Sequence, residues 1–245
     1  MKTNQLIKKQ TVITFILFSF IFSSTVFAQQ TIKASDIMDD IKMGKTVNYD
    51  NVTITGILDM TFMDEKKTDL PKKRKWWKNG GSNSVEQQIE GSVSFTNCTF
   101  EDNVYAYYHD EDSEYTFVAN FENDVKFANC TFKREALFKY SDFERSANFQ
   151  GSKFNDRATF KYAKFDENVS FSNTVFEEDA IFKYTEFRQG VSFNKATFKD
   201  NLDIKYTKVR GDFDISNMTV SNDIDSKYTK INGKGFNKYL LESRN

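Results

Sequence analysis

The sequence has 245 residues, a formal net charge of −1 and a mean hydropathy of −0.61, yet it contains 26 Phe. Its single His and two Cys exclude a multi-histidine metal centre and a scaffold held together by many disulfides. The balanced charge gives no reason to expect a nucleic-acid partner. A chain this polar must place its Phe at selected positions, so their spacing is the main clue to the fold.

Residues 1–28 have the pattern of a secretory signal peptide. A start containing three lysines precedes the uncharged apolar run Val12–Phe22, and the small residues Val26 and Ala28 stand at the positions of a cleavage site. The apolar run is short for a membrane anchor, which needs about 20 residues. We therefore expect cleavage after Ala28 and export to the periplasm or cell surface, away from cytosolic nucleotides and DNA.

Residues 29–46 are predicted to form an N-terminal cap. Ser35–Met43 has the pattern of a short helix, with Ser35 at the N-cap position, Asp36 in the first turn and Gly44 after the last turn. A helix here would cover the first open edge of the repeat region that follows, and open strand edges promote aggregation.

Beyond this cap, large apolar residues recur at alternating intervals of five and six, which gives a unit of 11 residues. A smaller residue stands two positions earlier, as Ala158 before Phe160. Helices need apolar residues every three or four positions, and half-buried strands alternate over longer runs. Very short strands separated by polar corners remain, and stacked strands of this kind form a parallel β-solenoid. The clearest stretch of the series is Phe127, Phe132, Phe138, Phe143, Phe149, Phe154, Phe160, Phe165, Phe171, Phe176, Phe182, Phe187, Phe193 and Phe198.

Every second 11-residue unit is alike, so one coil has 22 residues and four short faces. Phe160-Lys161-Tyr162 recurs with this period, whereas the units between read Phe149-Gln150-Gly151 or Phe171-Ser172-Asn173. Residues 158–162 and 163–167 resemble the pentads of the pentapeptide-repeat family in its Phe-rich form, with Asn168 as an extra residue. The resemblance extends over most of residues 47–231. It implies an all-β fold, a right-handed parallel β-helix of four-sided coils with the large residue at the axis, and we expect roughly seven coils.

Two insertions interrupt the rhythm, at about residues 61–88 and 107–116. With the insertions removed, Met60 and Ala106 align with Phe138, so both loops are predicted to leave consecutive coils at one corner. The longer loop is basic and aromatic, and the shorter loop is acidic. They are predicted to bind an envelope glycan, a membrane surface or another protein, since loops on rigid scaffolds commonly carry binding. The candidate residues are Lys72, Lys73, Arg74, Lys75, Trp76, Trp77, His109, Asp110, Glu111 and Asp112.

A simpler interpretation of the loops is that their opposite charges pair with each other, which surface charge runs often do. A ladder of tyrosines, each two residues past an inward position, is predicted to face outward at the same corner. It either binds an extended polymer or stacks between coils, and the second interpretation is favoured. The ladder consists of Tyr108, Tyr140, Tyr162, Tyr184, Tyr206 and Tyr228.

Cys98 and Cys130 occupy the same small inward position on adjacent coils. Their Cα atoms are expected to lie about 4.8 Å apart, within reach of a disulfide. The alternative is that both are small apolar residues of the core.

No catalytic residue, metal or cofactor is predicted, because no nucleophile elbow, metal-ligand spacing or phosphate-binding loop occurs. The leading hypothesis is a non-catalytic exported scaffold. The alternative is a carbohydrate-active β-helix enzyme acting on an extracellular polysaccharide. Some cytoplasmic members of the family mimic DNA, but the signal peptide argues against that role and no nucleic-acid partner is expected. A homodimer through a solenoid end or face stays open, and residues 232–245 are predicted to cap the C-terminal end.

Overall fold

The computed structural model describes residues 29–70 and 83–242 of the chain. Four parallel β-sheets form the four walls of a right-handed β-helix, and two of these walls have seven strands each. We call the walls faces 1 to 4, in the order in which the chain visits them within one coil. The predicted signal peptide, residues 1–28, lies outside the described residues.

The strands are short, and their bounds follow the 22-residue period wherever no insertion intervenes. Face 1 contains Val47–Asp50, Val93–Thr96, Val125–Ala128, Ala147–Asn148, Val169–Ser170, Gly190–Ser192 and Asp212–Asp214. Face 2 contains Gln30–Lys33, Val52–Thr55, Thr99–Phe100, Thr131–Phe132, Lys153–Phe154, Val175–Phe176, Thr197–Phe198 and Thr219–Val220. Face 3 contains Leu58–Asp59, Val104–Tyr105, Ala136–Leu137, Ala158–Thr159, Ala180–Ile181, Leu202–Asp203 and Ile224–Asp225. Face 4 contains Ser84–Ile89, Tyr115–Phe121, Asp142–Phe143, Lys164–Phe165, Glu186–Phe187, Lys208–Val209 and Lys230–Ile231, with Tyr107–Asp110 and Lys234–Gly235 paired antiparallel to it.

Phe side chains fill the axis of the solenoid in columns of stacked rings. The ring centroid of Phe160 lies 5.2 Å from that of Phe138 and 5.0 Å from that of Phe182, with interplanar angles of 3° and 4°. Neighbouring columns meet edge to face, as at Phe149 and Phe160, 5.2 Å apart at 77°. Burying one such side chain stabilises the fold by roughly 1.5–3 kcal/mol before conformational entropy is counted.

The predicted inward Phe are all buried. They are Phe95, Phe100, Phe121, Phe127, Phe132, Phe138, Phe143, Phe149, Phe154, Phe160, Phe165, Phe171, Phe176, Phe182, Phe187, Phe193 and Phe198. Only two residues of each pentad, one large and one small, face the axis. A chain of low mean hydropathy can therefore fold, because the other positions of the pentad can be polar.

Small residues beside the axis include hydroxyl side chains that are buried and satisfied. The hydroxyl of Thr185 donates to the backbone carbonyl oxygen of Phe160 at 2.7 Å, and that of Thr207 donates to Phe182 at 2.6 Å. Each bond joins one coil to the coil before it. A buried hydroxyl without a partner would destabilise the fold, so these bonds make Ser and Thr acceptable where Ala would also fit.

Two corners of each coil are tight turns. At the corner between faces 3 and 4 the amide of Ala163 donates to the carbonyl oxygen of Phe160 at 2.9 Å, and Tyr162 between them has a φ of 63°. The corner between faces 1 and 2 is built in the same way, with Asn173 at a φ of 56°. The extra residue of alternate pentads lies at the other two corners, where only some coils have a left-handed residue at the matching position, as at Gly56 and Gly211.

A short helix, α1 (Ala34–Lys42), covers the first coil, but its start differs from the prediction. Lys33 is at the N-cap position and no side chain caps the helix, whereas Ser35 lies in its first turn. The reason is that Gln30–Lys33 is a strand paired with Val52–Thr55, so the chain passes from face 2 directly into the helix. Gly44, with a φ of 69°, follows the helix.

The opposite end is covered by the strand Lys234–Gly235 and by a C-terminal helix, Phe236–Glu242. The hydroxyl of Tyr239 on this helix donates to the carbonyl oxygen of Phe213 at 3.1 Å. The axial residues are less completely buried before this end, where Ile215 and Val220 are only partly covered. Within residues 29–70 and 83–242, no helix has the length and apolarity needed to cross a membrane.

Candidate functional site

Both insertions leave the solenoid at the corner between faces 3 and 4. The first begins with a helical turn, Met63–Lys66, and a 3₁₀ turn, Lys67–Asp69. It returns as the strand Ser84–Ile89. The second forms a β-hairpin of Tyr107–Asp110 and Tyr115–Phe121. The last of these strands lies parallel to Ser84–Ile89 over six residue pairs, so the two insertions are joined by backbone pairing.

The strands inside the insertions were not predicted from the sequence. Tyr115, Phe117, Ala119 and Phe121 are all buried and alternate with period two, which is the signal that could have revealed the second strand. The predicted binding residues Lys72, Lys73, Arg74, Lys75, Trp76 and Trp77 lie outside the described residues. The structure therefore places only the acidic part of the predicted site.

Within the described parts of the two insertions, one ion pair connects them through side chains. Lys67 Nζ lies 2.6 Å from Asp110 Oδ1, and the carboxylate of Asp110 is almost fully covered. The amide of Ser113 donates to the other carboxylate oxygen at 3.0 Å. The hydrogen bond from Lys67, together with those from Ser113, lowers the pKa of Asp110 to about 2. Asp110 thus holds the hairpin against the first insertion. For this pair, the structure agrees with the interpretation that the opposite charges of the two loops pair with each other.

The other acidic candidates lie at the tip of the hairpin. His109 Nδ1 is 3.0 Å from the hydroxyl of Thr116 on the opposite strand. Glu111 and Asp112 are exposed in the turn. Among the residues that the structure describes, no group of three or more His, Cys, Asp or Glu side chains is arranged to hold a metal ion.

The Lys67–Asp110 pair predicts a pH dependence. The folded pKa of Asp110 is depressed, so its contribution to stability is complete above its unfolded pKa of about 4 and is lost as the pH falls to about 2. We expect the hairpin amides of residues 107–116 to lose protection against hydrogen exchange, relative to the intrinsic rate at each pH, over this window. Asp110→Asn should remove the dependence, whereas Glu111→Gln in the exposed turn should retain it. An unchanged pH profile in Asp110→Asn would contradict the role of this pair.

A cavity of about 330 Å³ lies between helix α1, face 3 and the first insertion. Asp59 lines it and accepts hydrogen bonds from the hydroxyl of Thr61 at 2.6 Å and from the amide of Met63 at 3.3 Å. Burial raises the pKa of Asp59 despite these bonds. The carboxylate therefore anchors the first turn of the insertion.

The predicted tyrosine ladder is present, with one correction. Tyr108 is not part of it: its ring packs against Tyr105 at 5.5 Å, and Tyr107 contacts Tyr140 at 5.8 Å. The reason is that the second insertion starts at this corner, so Tyr108 continues a strand instead of making the tight turn. The remaining rings stack at 4.6–4.9 Å with interplanar angles of 1–19°, in the order Tyr140, Tyr162, Tyr184, Tyr206 and Tyr228.

The stack determines what the ladder can contact. Each inner ring has a neighbouring ring on both faces, so its flat surfaces are covered and only its edge and hydroxyl reach solvent. A lysine precedes each tyrosine, and its ammonium lies 4.8–5.9 Å from the centroid of that ring. Such cation–π contacts are worth about 0.5–1 kcal/mol at exposed sites.

Comparison with known families agrees with this geometry. The model described as pentapeptide repeats (9 copies) matches residues 119–164 and 160–208. Residues 119–208 of the chain belong to the pentapeptide-repeat family. No curated protein and no solved structure is significantly similar to the chain. The expected fold is confirmed, and the protein is a pentapeptide-repeat scaffold.

Within this pentapeptide-repeat solenoid the ladder tyrosines are conformationally unusual. All five have φ between 59° and 64°, a region that bulky side chains rarely adopt and that disfavours L-residues by about 1–2 kcal/mol each. The sequence analysis did not predict this left-handed turn. A shift of 11 residues nevertheless aligns Tyr140 with Asn129 and Tyr184 with Asn173, which lie at the equivalent corner. Asn tolerates this conformation, so the Asn corner was the available signal.

Replacing Tyr184 separates stacking from backbone strain. Tyr184→Ala should lower the free energy of unfolding by about 1–3 kcal/mol, because two stacked pairs worth about 0.5–1.5 kcal/mol each are lost while a left-handed non-Gly residue remains. Tyr184→Asn should be milder, and urea unfolding measures both. Asn173→Ala is the control, because Asn173 has the same left-handed conformation on the same coil but no stacked ring. If Tyr184→Asn were less stable than Tyr184→Ala, the left-handed conformation would not strain the backbone at this position.

The repeat also sets two cysteines side by side. Cys98 and Cys130 are buried free thiols on adjacent coils of face 2, so the disulfide that the sequence left open is not formed in the structure. A hydrogen bond between the two thiols lowers the pKa of Cys98 and raises the pKa of Cys130. Each sulfur also lies near backbone carbonyl oxygens, for Cys98 that of Thr96 at 3.2 Å. Both residues pack as small core side chains.

Proposed function

We propose that the protein is a non-catalytic, exported scaffold that binds a component of the cell envelope through its two insertions. The observation that carries this proposal is the joining of the insertions at one corner. They interrupt an otherwise regular solenoid on consecutive coils, and parallel strand pairing and the Lys67–Asp110 pair hold them together. Binding segments are commonly built in this way, as loops held on a rigid scaffold.

The sequence of the first insertion indicates what such a surface would bind. Residues 71–82 contain five cationic side chains and both Trp of the chain. Trp combines a large apolar ring with a polar N–H, and cations beside it attract anionic groups. Export is supported by the signal-peptide pattern of residues 1–28, which would bring this surface into contact with envelope material.

The test is sedimentation of the mature protein, residues 29–245, with native envelope fractions. In the test variant, residues 71–82 are replaced by Gly and Ser over the same length, which keeps Lys67 and the strand Ser84–Ile89 in place. We expect the wild type to sediment with the fractions and the variant to remain in solution. Unchanged sedimentation of the variant would show that the loops do not bind.

A charge-matched control distinguishes a site from general attraction. It replaces five lysines near the diagonally opposite corner, between faces 1 and 2, with Ser and should sediment like the wild type. These are Lys126, Lys133, Lys153, Lys195 and Lys199. A parallel screen for degradation of extracellular polysaccharides addresses the enzyme alternative, and turnover that disappears in Asp110→Asn or Glu111→Gln would contradict a non-catalytic scaffold.

A further inference from the structure

The corner between faces 3 and 4 carries a second surface below the insertions. We call it the Lys–Tyr ridge. It consists of the pairs Lys139-Tyr140, Lys161-Tyr162, Lys183-Tyr184, Lys205-Tyr206 and Lys227-Tyr228. Consecutive pairs lie one coil apart, so the ammonium groups form a row along the solenoid with a repeat of about 4.8 Å in the backbone. This row continues through all five coils that follow the second insertion.

Many of the cations elsewhere on the described surface pair with acids on the neighbouring coil. Lys133 lies 2.8 Å from Glu101, Arg157 lies 2.6 Å from Glu135, and Lys199 lies 2.9 Å from Glu177. On the ridge, one lysine has such a partner, Lys205 with Asp225 at 3.6 Å. The other four have no carboxylate within ion-pair distance among the described residues.

The ridge therefore places like charges on adjacent coils, an arrangement that destabilises a sheet. Burial and the neighbouring Lys139 and Lys183 lower the pKa of Lys161, which is consistent with crowded cations. The left-handed tyrosines add backbone strain at the same positions. Strain of this kind persists only where the surrounding structure enforces it, and it is concentrated at functional sites.

A groove of about 510 Å³ runs beside the ridge over four coils. Its walls are the edges of the rings from Tyr162 to Tyr228 and the side chains of face 4. Lys208 in this wall pairs with Glu186 at 2.8 Å, whereas Lys230 has no ion-pair partner among the described residues. A chain lying in the groove would have lysines on both sides.

The covered ring faces restrict the kind of polymer. Proteins that bind single-stranded nucleic acid commonly stack its bases on the faces of aromatic side chains. Here the neighbouring tyrosines already occupy those faces. Ring edges, phenol hydroxyls and ammonium groups remain available. They suit a chain of acidic sugars, which offers hydroxyls and C–H groups along its length and a carboxylate on each sugar.

We propose that the Lys–Tyr ridge binds a linear anionic polysaccharide that lies along the solenoid axis, with its carboxylates against successive lysines. The ridge lies outside both insertions, so this inference is independent of the loop surface proposed above. The neutralised lysines would no longer repel one another when the polymer is bound. Bound polymer is therefore expected to stabilise the fold as well as to retain the protein.

The test is affinity electrophoresis of the mature protein in gels containing polygalacturonate, with dextran as the neutral polymer. The ridge variant combines Lys161→Ser, Lys183→Ser and Lys227→Ser. The matched control makes the same change in the paired lysines of face 2. These are Lys133, Lys153 and Lys199. We expect the wild type to bind polygalacturonate and not dextran, and the ridge variant to bind at least about tenfold more weakly with a shallower salt dependence.

Two further variants complete the experiment. The combination of Lys161→Arg, Lys183→Arg and Lys227→Arg keeps the charge and should retain binding within about threefold, since either cation hydrogen-bonds a carboxylate. The variant with residues 71–82 replaced should also bind polygalacturonate, which separates this inference from the loop proposal. No binding by the wild type, or equal weakening in the face 2 control, would overturn the proposal. Equal affinity for oligodeoxythymidylate or for phosphatidylserine vesicles would overturn it as well.

Discussion

Replacing Phe160 with Ala is expected to lower the free energy of unfolding by about 3–5 kcal/mol. Phe160 is fully buried at the centre of the solenoid. Ala would remove its ring from a stack of three and from three edge-to-face contacts, and the coils cannot close the space because their spacing is fixed by backbone pairing. The rings that lose contact are Phe138, Phe149, Phe154, Phe165, Phe171 and Phe182.

Guanidinium chloride unfolding of residues 29–245 measures this effect. Phe160→Leu leaves a smaller space and should cost less than Phe160→Ala, so it separates the space left by Ala from the loss of an aromatic ring. A repeat array can also lose cooperativity when a central unit is weakened. The slope of the transition should therefore be compared as well as its midpoint. Equal midpoints for the Ala and Leu variants would contradict the tight packing of the column.

Gly91→Ala is expected to have the second largest effect, at or above the upper end of about 1–3 kcal/mol. A Cβ atom on Gly91 would lie 2.1 Å from the carbonyl oxygen of Lys45 and 2.8 Å from the amide nitrogen of Thr46. Both atoms belong to the backbone that leads from helix α1 into face 1, where Val47 pairs with Val93. The chain can relieve the overlap only by separating the first coil from the second.

The matched control for this substitution is Gly235→Ala. Neither glycine has a left-handed φ, and no atom lies within 4 Å of the Cβ position at Gly235. The control should change the midpoint of thermal unfolding little, whereas Gly91→Ala should lower it clearly. If the two variants unfold at the same temperature, the close approach between residues 45–46 and 91 does not exist in solution.

The coil could be predicted from the sequence because one physical requirement is repeated many times. Every large residue at the axis must recur in phase with its neighbours, so a single Phe such as Phe160 carries little information and the whole series carries a great deal. The same phase located both insertions, since Met60 and Ala106 align with Phe138 only when the extra residues are removed. Their alignment is confirmed by the register of face 3.

Features that occur once could not be obtained in this way. The strand Gln30–Lys33 precedes the helix and has no repeat to mark it, so the sequence pattern alone favours Ser35 as the N-cap. The hairpin at residues 107–118 follows its own period of two, which displaced Tyr108 from the ladder. The left-handed tyrosines were hidden for another reason: side-chain propensity disfavours them, and stacking between coils overrides that preference.

The constant register has a consequence for the size of the molecule. Outside the insertions, each coil pairs only with the coils directly before and after it, through the same 22-residue offset. Nothing inside a coil specifies how many coils there are. A duplicated segment such as residues 153–174 would fit between its neighbours without altering either cap, and it would add one step of lysine and tyrosine to the corner. The length of the protein is therefore a variable that the fold leaves open, bounded only by the segments that close its two ends.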